Sequence, residues 1–570
     1  MKYRLILRGD FINKICKYFF PAPDFSHESY GVIFLSPAFG RKFKTLISAE
    51  MWLPKDQDYA SRSNASLHMN DAYIAKVYEY CSKNGYSLMT IHSHPFTKSS
   101  KNFFSSIDNE GDKANFWFFS QLMPDGFFVS SIMNGNGILT SRLFECSSKD
   151  KTPHNFDEIL YVDFPLKKEF PNLSNQDIIN IDERLYDRQI RVFGKEGQEL
   201  ISKIRVCIVG VGGLGSIIVE ILARLGVREF ILIDHDIAEW TNLNRFTGMI
   251  RRDADKKRLK VKIGRRLIKQ INPDARVICI PEEVYSEKSV KAMKDADIIF
   301  LGTDNMTSRD FVNTFSVQYL IPVINMGSVI NYSKIKKKII SILGDIICSL
   351  PGNSKEKFCL RCSGAINTDF LKLENAPGNL RERLGGYILN DNEPAPAVRY
   401  VNGLVCDLAS VEFHNLVCNF KEPIFYQKIN LMPQIFIDDY FFREDFEDFI
   451  QYMFEKGIIK NTDVELKSIL LNEFTCIDEN TKNTIIKKDL DKKIFQKVIS
   501  IFIEKDFISE EMKDIFLKEI KQYFSVKIEK ECELIEIIDV HKDEDNCPIC
   551  GAKAYIIGQG DLIPLKKFKY

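Results

Sequence analysis

The stretch VCIVGVGGLGSIIVEILARLGV, Val206 to Val227, reads as strand, glycine-rich turn and helix. Apolar residues run into Gly210, and Gly212, Gly213 and Gly215 then let a phosphate approach the backbone at a helix N-terminus. Working outward, RVCIVG, EFILID, RVICI, DIIFLG and PVINM alternate with helical stretches, the pattern of a doubly wound α/β sheet. Asp234 closes EFILID, 19 residues beyond Gly215, where a carboxylate can bond a ribose hydroxyl. That arrangement fits NAD as well as ATP. The next segments separate the two: IAEWTNLNRF, LKVKIGRRLIKQINP and FLGTDN place Asn242, Asn244, Arg245, Lys260 and Asp304 after successive strands. Two cations and an acid at the phosphate end suit nucleotidyl transfer, because cations neutralise phosphates while a carboxylate holds magnesium.

The whole chain has 570 residues, too many for one core. Lys+Arg and Asp+Glu balance at 78 each, so a general nucleic-acid binder is not expected. Charges interrupt every apolar run before it reaches about 18 residues, so no membrane span is expected and a soluble, cytoplasmic protein is. We read an α/β unit over 1–150, a linker over 151–180, the doubly wound domain over 181–425, a helical insertion over 426–545 and a closing segment over 546–570.

Within the first unit, MTIHSHPF (Met89 to Phe96) ends a strand with two histidines. Alternate residues of a strand point the same way, so His92 and His94 can face one ion. Asp108 follows in SSID with Ser105 three residues before it, and Glu28 precedes the apolar run GVIFL. Two histidines and a carboxylate can hold zinc with one open position for water, and a second carboxylate can take that water's proton. This set resembles the signature of the JAMM metallopeptidases, which remove ubiquitin-like proteins or their C-terminal extensions. The resemblance implies that His92, His94 and Asp108 bind a catalytic zinc, that Glu28 is the general base and that Ser105 steadies the oxyanion. One departure stands out: ten residues lie between His94 and Ser105, an enlarged loop for that family.

The second series, YDRQ, GVGGLG, DHD, NLNR, LKVKIGRRLIKQINP and GTDN, resembles the adenylating enzymes of the ThiF, MoeB and ubiquitin-activating family over residues 184 to about 420. The resemblance implies a Rossmann-like domain that uses ATP and Mg2+ to adenylate the C-terminal glycine of a ubiquitin-like protein. Asp234 would bind ribose, Arg245 and Lys260 the phosphates and Asp304 magnesium, with Asp236, Asn242, Asn244 and Asn305 in the same site. Arg188 would reach into a partner subunit's site, which implies a homodimer.

Cys359 and Cys362, and Cys547 and Cys550, each have the two-residue gap that lets two thiolates grip a tetrahedral zinc. With 184 residues between Cys362 and Cys547, the pairs read together as one structural site, with a redox pair or two unrelated pairs as the rivals. The passage from Ser363 to Tyr400, where thioester-forming relatives carry a nucleophile, contains no cysteine. Cys406 lies on an apolar helical stretch and reads as core. The combined expectation is a bifunctional enzyme of a bacterial ubiquitin-like modification system, of the kind used in antiviral defence, with a conjugating enzyme as a further partner. Sulfur-carrier activation and a non-catalytic scaffold are the alternatives.

Overall fold

The computed structural model describes residues 1–21, 27–64, 66–97, 102–148, 151–172, 181–333, 338–353, 359–376, 396–432, 535–537, 547, 549–550 and 556–565. The chain begins β1 (Lys2–Arg8), α1 (Gly9–Phe19), β2 (Tyr30–Phe39), β3 (Phe43–Trp52), β4 (Tyr59–Arg62), β5 (Leu67–Met69), α2 (Asp71–Asn84) and β6 (Ser87–His94). It continues α3 (Ser106–Leu122), β7 (Phe127–Asn134), β8 (Leu139–Glu145), β9 (His154–Asn155), β10 (Glu158–Val162) and β11 (Lys167–Glu169). Next come α4 (Glu183–Lys203), β12 (Arg205–Val209), α5 (Gly213–Leu225), β13 (Glu229–Ile233), α6 (Arg251–Asp255), α7 (Lys260–Ile271), β14 (Arg276–Ile280) and α8 (Glu287–Met293). The remainder is β15 (Ile298–Leu301), α9 (Met306–Tyr319), β16 (Val323–Ser333), β17 (Lys338–Ser349), α10 (Thr368–Glu374), α11 (Arg399–Cys418), β18 (Tyr426–Asn430) and β19 (Ile535–Ile537).

Two compact units divide the chain, one of Met1–Ile340, Gly344–Lys428 and Ile537–Tyr570, the other of Ser341–Leu343 and Ile429–Glu536. Most of the expected helical insertion lies outside the described residues, and its described ends are strands β18 and β19 rather than helix.

In the first unit, one sheet orders β11-β10-β1-β3-β2-β6-β7-β8-β9. Its strands alternate between two cores, as the two-residue period of a strand requires. Ile33, Leu35, Met89 and Ile91 pack with Phe11, Ile15 and Phe19 of α1, whereas Val32, Phe34 and Leu88 pack with Tyr73, Val77, Phe116 and Phe119 of α2 and α3. His92 and His94 fall in phase with Leu88, on the face that α3 covers.

A second sheet contains the run β14-β13-β12-β15-β16 in the same unit, and every neighbouring pair of that run is parallel. The order reverses at β12, whose next strand β13 lies on one side and β15 on the other. Such a switch point opens a crevice at the carboxyl ends of the strands, where the glycine loop lies.

The passage 151–180, expected as a linker, instead supplies β9, β10 and β11 to the first sheet. Strands β10 and β11 carry charges that join the two sheets. Asp297, fully buried before β15, accepts hydrogen bonds from Arg4 at 2.5 Å, from Lys168 at 2.8 Å and from the Arg205 N–H at 2.7 Å. Arg205 also reaches Glu158 at 2.9 Å and Glu229 at 2.6 Å. The Asp295 carboxylate caps the β2–β3 turn through the N–H groups of Arg41 and Lys42, at 2.9 and 2.8 Å. Near the chain end, Asp561 accepts from the Phe39 N–H at 2.8 Å, from Lys294 at 2.5 Å and from Tyr319 at 2.9 Å. Gln559 meets the Tyr86 hydroxyl. Gly558, at φ +70°, lies so close to the first sheet that a Cβ there would sit 2.5 Å from the Ser48 carbonyl oxygen.

Candidate functional site

Two clusters of polar side chains occupy the first unit. The first lies at the end of β6. The Ser93 N–H donates to the Ser29 carbonyl at 2.9 Å and the Ser93 hydroxyl accepts from the Ser29 N–H at 2.8 Å, which fixes Glu28 beside the histidine strand. Ser105 caps α3: its hydroxyl accepts from the Asp108 N–H at 3.1 Å while its own N–H donates to Asp108 Oδ2 at 2.6 Å. This reciprocal capping box is the local reason for the Ser-x-x-Asp pattern, and it aims the carboxylate at the strand. Arg142 of β8 holds the same turn, reaching Asp112 at 2.7 Å, Asn109 at 2.5 Å and the Asp108 carbonyl at 3.3 Å.

As a result His92 Nε2 lies 3.1 Å from His94 Nε2 and 3.0 Å from Asp108 Oδ1, and His94 Nε2 lies 3.7 Å from Asp108 Oδ2. Donors held about 2.0–2.2 Å from a tetrahedral zinc are about 3.3–3.6 Å apart, so the three fit one ion. Burial lowers the proton affinity of His94, as does the neighbouring His92, which favours the neutral imidazole that a metal needs. Burial would raise the Asp108 carboxyl, but hydrogen bonds from His92 and the Ser105 N–H overcome it and hold it below the usual carboxylate range. Glu28 is pushed upward, first by burial, and the charges of His92 and Asp108 both act on it. The enlarged loop before Ser105 therefore does not separate Asp108 from the histidines.

The second cluster is a cleft of about 360 Å³ over the glycine loop. Its lining includes Gly210, Gly212, Gly213, Asp234, Asp236, Asn242, Arg245, Lys260, Asp304 and Asn305. Gly210 adopts φ +85°, and a Cβ on Gly215 would lie 1.9 Å from the Gly210 carbonyl oxygen, so both positions require glycine. Asp234 is anchored by the Val211 N–H at 2.7 Å and itself accepts from the Asp236 N–H at 2.8 Å. Burial raises its carboxyl, and the Lys260 charge opposes that. Lys260, the first residue of α7, meets Asp236 at 2.6 Å. Asn305 caps α9 through the Ser308 N–H at 2.7 Å.

Three expected residues stand apart from this lining, the first being Gly215, which packs under the loop against the Gly210 carbonyl. Asn244 bonds Arg245 Nη1 at 3.2 Å and faces away, because the helical turn at Trp240–Asn242 puts Asn242 and Arg245, three residues apart, on the cleft side. Arg188 is exposed on α4 and does not line the cleft of its own chain. Sequence reasoning missed Arg309, Ser328, Pro396, Ala397 and Asn402, which all line it. No local pattern announces them, since strands and helices far apart in sequence bring them in.

The four cysteines meet. Cys359 Sγ is 3.8 Å from Cys362 Sγ and 3.8 Å from Cys547 Sγ, and Cys362 Sγ is 3.4 Å from Cys550 Sγ. A tetrahedral zinc with bonds of about 2.3 Å spaces its sulfurs by about 3.8 Å, so these donors fit it. Hydrogen bonding from Cys359 pulls the Cys547 thiol down to about 6. Cys406 is fully buried against the Leu214 carbonyl, and burial pushes its thiol up. Cys348 is also buried, and Cys476 and Cys532 lie outside the described residues.

With this geometry in view, comparison with known proteins is informative for the second half of the chain. Residues 186–438 match the ThiF family. The sulfur carrier protein ThiS adenylyltransferase of Bacillus subtilis is 32% identical over 149 residues, which is 26% of this chain and 44% of that protein. The molybdopterin-synthase adenylyltransferase of Salmonella typhimurium is 30% identical over 159 residues, 28% of this chain and 61% of that protein. The chain thus spans only about half the length of these relatives. The crystal structure of E. coli MccB with ATP aligns at 21% identity and a TM-score of 0.34, covering 45% of this chain and 69% of that one. Among the described residues, no helix is long and apolar enough to cross a membrane.

Proposed function

We propose that the ThiF-family domain uses ATP to adenylate the C-terminal glycine of a ubiquitin-like protein, and that the N-terminal domain is a zinc peptidase that processes or releases the same protein. The observation that carries the first half is the convergence of Asp234, Arg245, Lys260 and Asp304 on a glycine loop at the sheet's switch point. Bound ATP would supply an electrophilic α-phosphorus and a pyrophosphate leaving group. The chain's own groups have defined parts: Asp234 orients ribose, Arg245 and Lys260 offset phosphate charge, and Asp304 offers a carboxylate for magnesium. The glycine carboxylate attacks the α-phosphorus, an acyl-adenylate forms and pyrophosphate departs. Exchange of labelled pyrophosphate into ATP should therefore require a ubiquitin-like protein ending in glycine. Equal exchange with that terminal glycine removed would refute the assignment.

For the N-terminal domain, the supporting observation is the convergence of His92, His94 and Asp108. Zinc bound there would polarise the scissile carbonyl and its water. Glu28, which feels the charges of His92 and Asp108, would take a proton from that water, and Ser105, at the start of α3, would steady the oxyanion. Purified protein is expected to carry two zinc ions per chain by elemental analysis. His92→Ala should remove one, and Cys359→Ser with Cys547→Ser the other. A single zinc lost only with the cysteines would leave the histidine cluster without its metal role. A bacterial modification system, a homodimer through Arg188 and a conjugating enzyme as partner belong to this reading.

The second reading, activation of a sulfur carrier, is favoured by the named activities of the relatives and by the lack of cysteine between Ser363 and Tyr400. Thiocarboxylate at the partner's terminus, detected by mass spectrometry, would select it. Isopeptide-linked targets would select conjugation.

A further inference from the structure

Asn402 lies in the first turn of α11 and is only 3% exposed, yet it lines the nucleotide cleft. Its Oδ1 accepts a hydrogen bond from the Ser328 hydroxyl of β16 at 2.8 Å. That bond turns the acceptor edge of the amide away and leaves the donor edge facing the glycine loop. A Cβ on Gly213 would stand 2.6 Å from Asn402 Nδ2. The Nδ2 donates to no described residue. Because Asn402 lines the cleft, that donor edge is open to an acceptor that enters there.

The position also says which part of a ligand it meets. Asp234, at the ribose end, holds the Val211 N–H at 2.7 Å, and Gly213 is two residues further along the loop at the start of α5. A nucleotide whose ribose meets Asp234 would bring its first phosphate to the loop beside Gly213 and the Asn402 amide, drawn there by the helix N-terminus. We infer that Asn402 positions the α-phosphate of the bound nucleotide through Nδ2, and that Ser328 holds the amide in the donating orientation. This rests on the nucleotide reading of the cleft.

Binding of ATP, AMP and adenosine to the full chain, measured by calorimetry, tests it. Asn402→Asp keeps the shape but replaces the donor by a charge, and should weaken ATP and AMP by about 100-fold; Asn402→Ala should weaken both by about 10-fold. Ser328→Ala frees the amide to flip, and should weaken both by about 3-fold. Adenosine, which has no phosphate, should bind all four proteins alike. Equal weakening of adenosine would mean a structural role and overturn the inference, as would unchanged AMP affinity in Asn402→Asp. Wild type that binds none of the three would overturn the nucleotide reading and this inference with it.

Discussion

Lys260→Ala is expected to lower ATP–pyrophosphate exchange by about 10²–10³-fold, the usual consequence of removing one preorganised charge from a site where phosphate charge shifts. Lys260 is 13% exposed at its side chain and begins α7, so its ammonium group is held at the cleft by a helix rather than a mobile loop. Its bond to Asp236 at 2.6 Å keeps it extended across the opening. The fold should survive the change, because the lost partner Asp236 is about half exposed and water can replace the lysine. An unchanged circular dichroism spectrum with exchange within threefold of wild type would remove Lys260 from the chemistry. Loss of exchange with intact binding of adenosine would place its effect on the phosphates.

Asp297→Ala should have the largest effect on stability, about 3–5 kcal/mol, read as a drop in the denaturant midpoint. The carboxylate is fully buried and is shared by Arg4, Lys168 and the Arg205 N–H. Removing it leaves three buried cations, Arg4, Lys168 and Arg205, with less than their full complement of negative charge. Glu158 then carries more of the compensation. Burial alone would raise its carboxyl, but Lys168, Arg205 and Arg4 outweigh that and hold it well below the ordinary range. Because its folded proton affinity is depressed, the stability it contributes is present above the unfolded carboxylate range and is lost as pH falls below about 4. Wild type should therefore loosen in acid earlier than a variant carrying Glu158→Gln together with neutral partners. A midpoint for Asp297→Ala within 1 kcal/mol of wild type would contradict this account.

The glycine loop was legible because its chemistry is local: strand, turn and helix are adjacent, and Gly210 and Gly215 are fixed by one close approach. Asp234 and Lys260 were legible for a related reason, each standing at the junction of a strand or helix with a loop. The histidine pair followed from the two-residue period of β6, and Asp108 from a capping pattern. Asn402 was not legible, since its meaning comes from Ser328 and Gly213, on elements far away in the chain. The strands β10 and β11 were missed for a physical reason. Glu158 and Lys168 are buried strand residues that look like surface charges until Arg4, Arg205 and Asp297 are seen to neutralise them.

The segment around Gln559 to Asp561 bonds to both sheets at once, and the Asp297 cluster ties them together a second time. Under the proposed function, a protein substrate that visits both clusters would have to let go of one, turn its tail and settle on the other. Its off-rate, and the length of free tail behind its last folded residue, would then set the pace of any passage from trimming to activation.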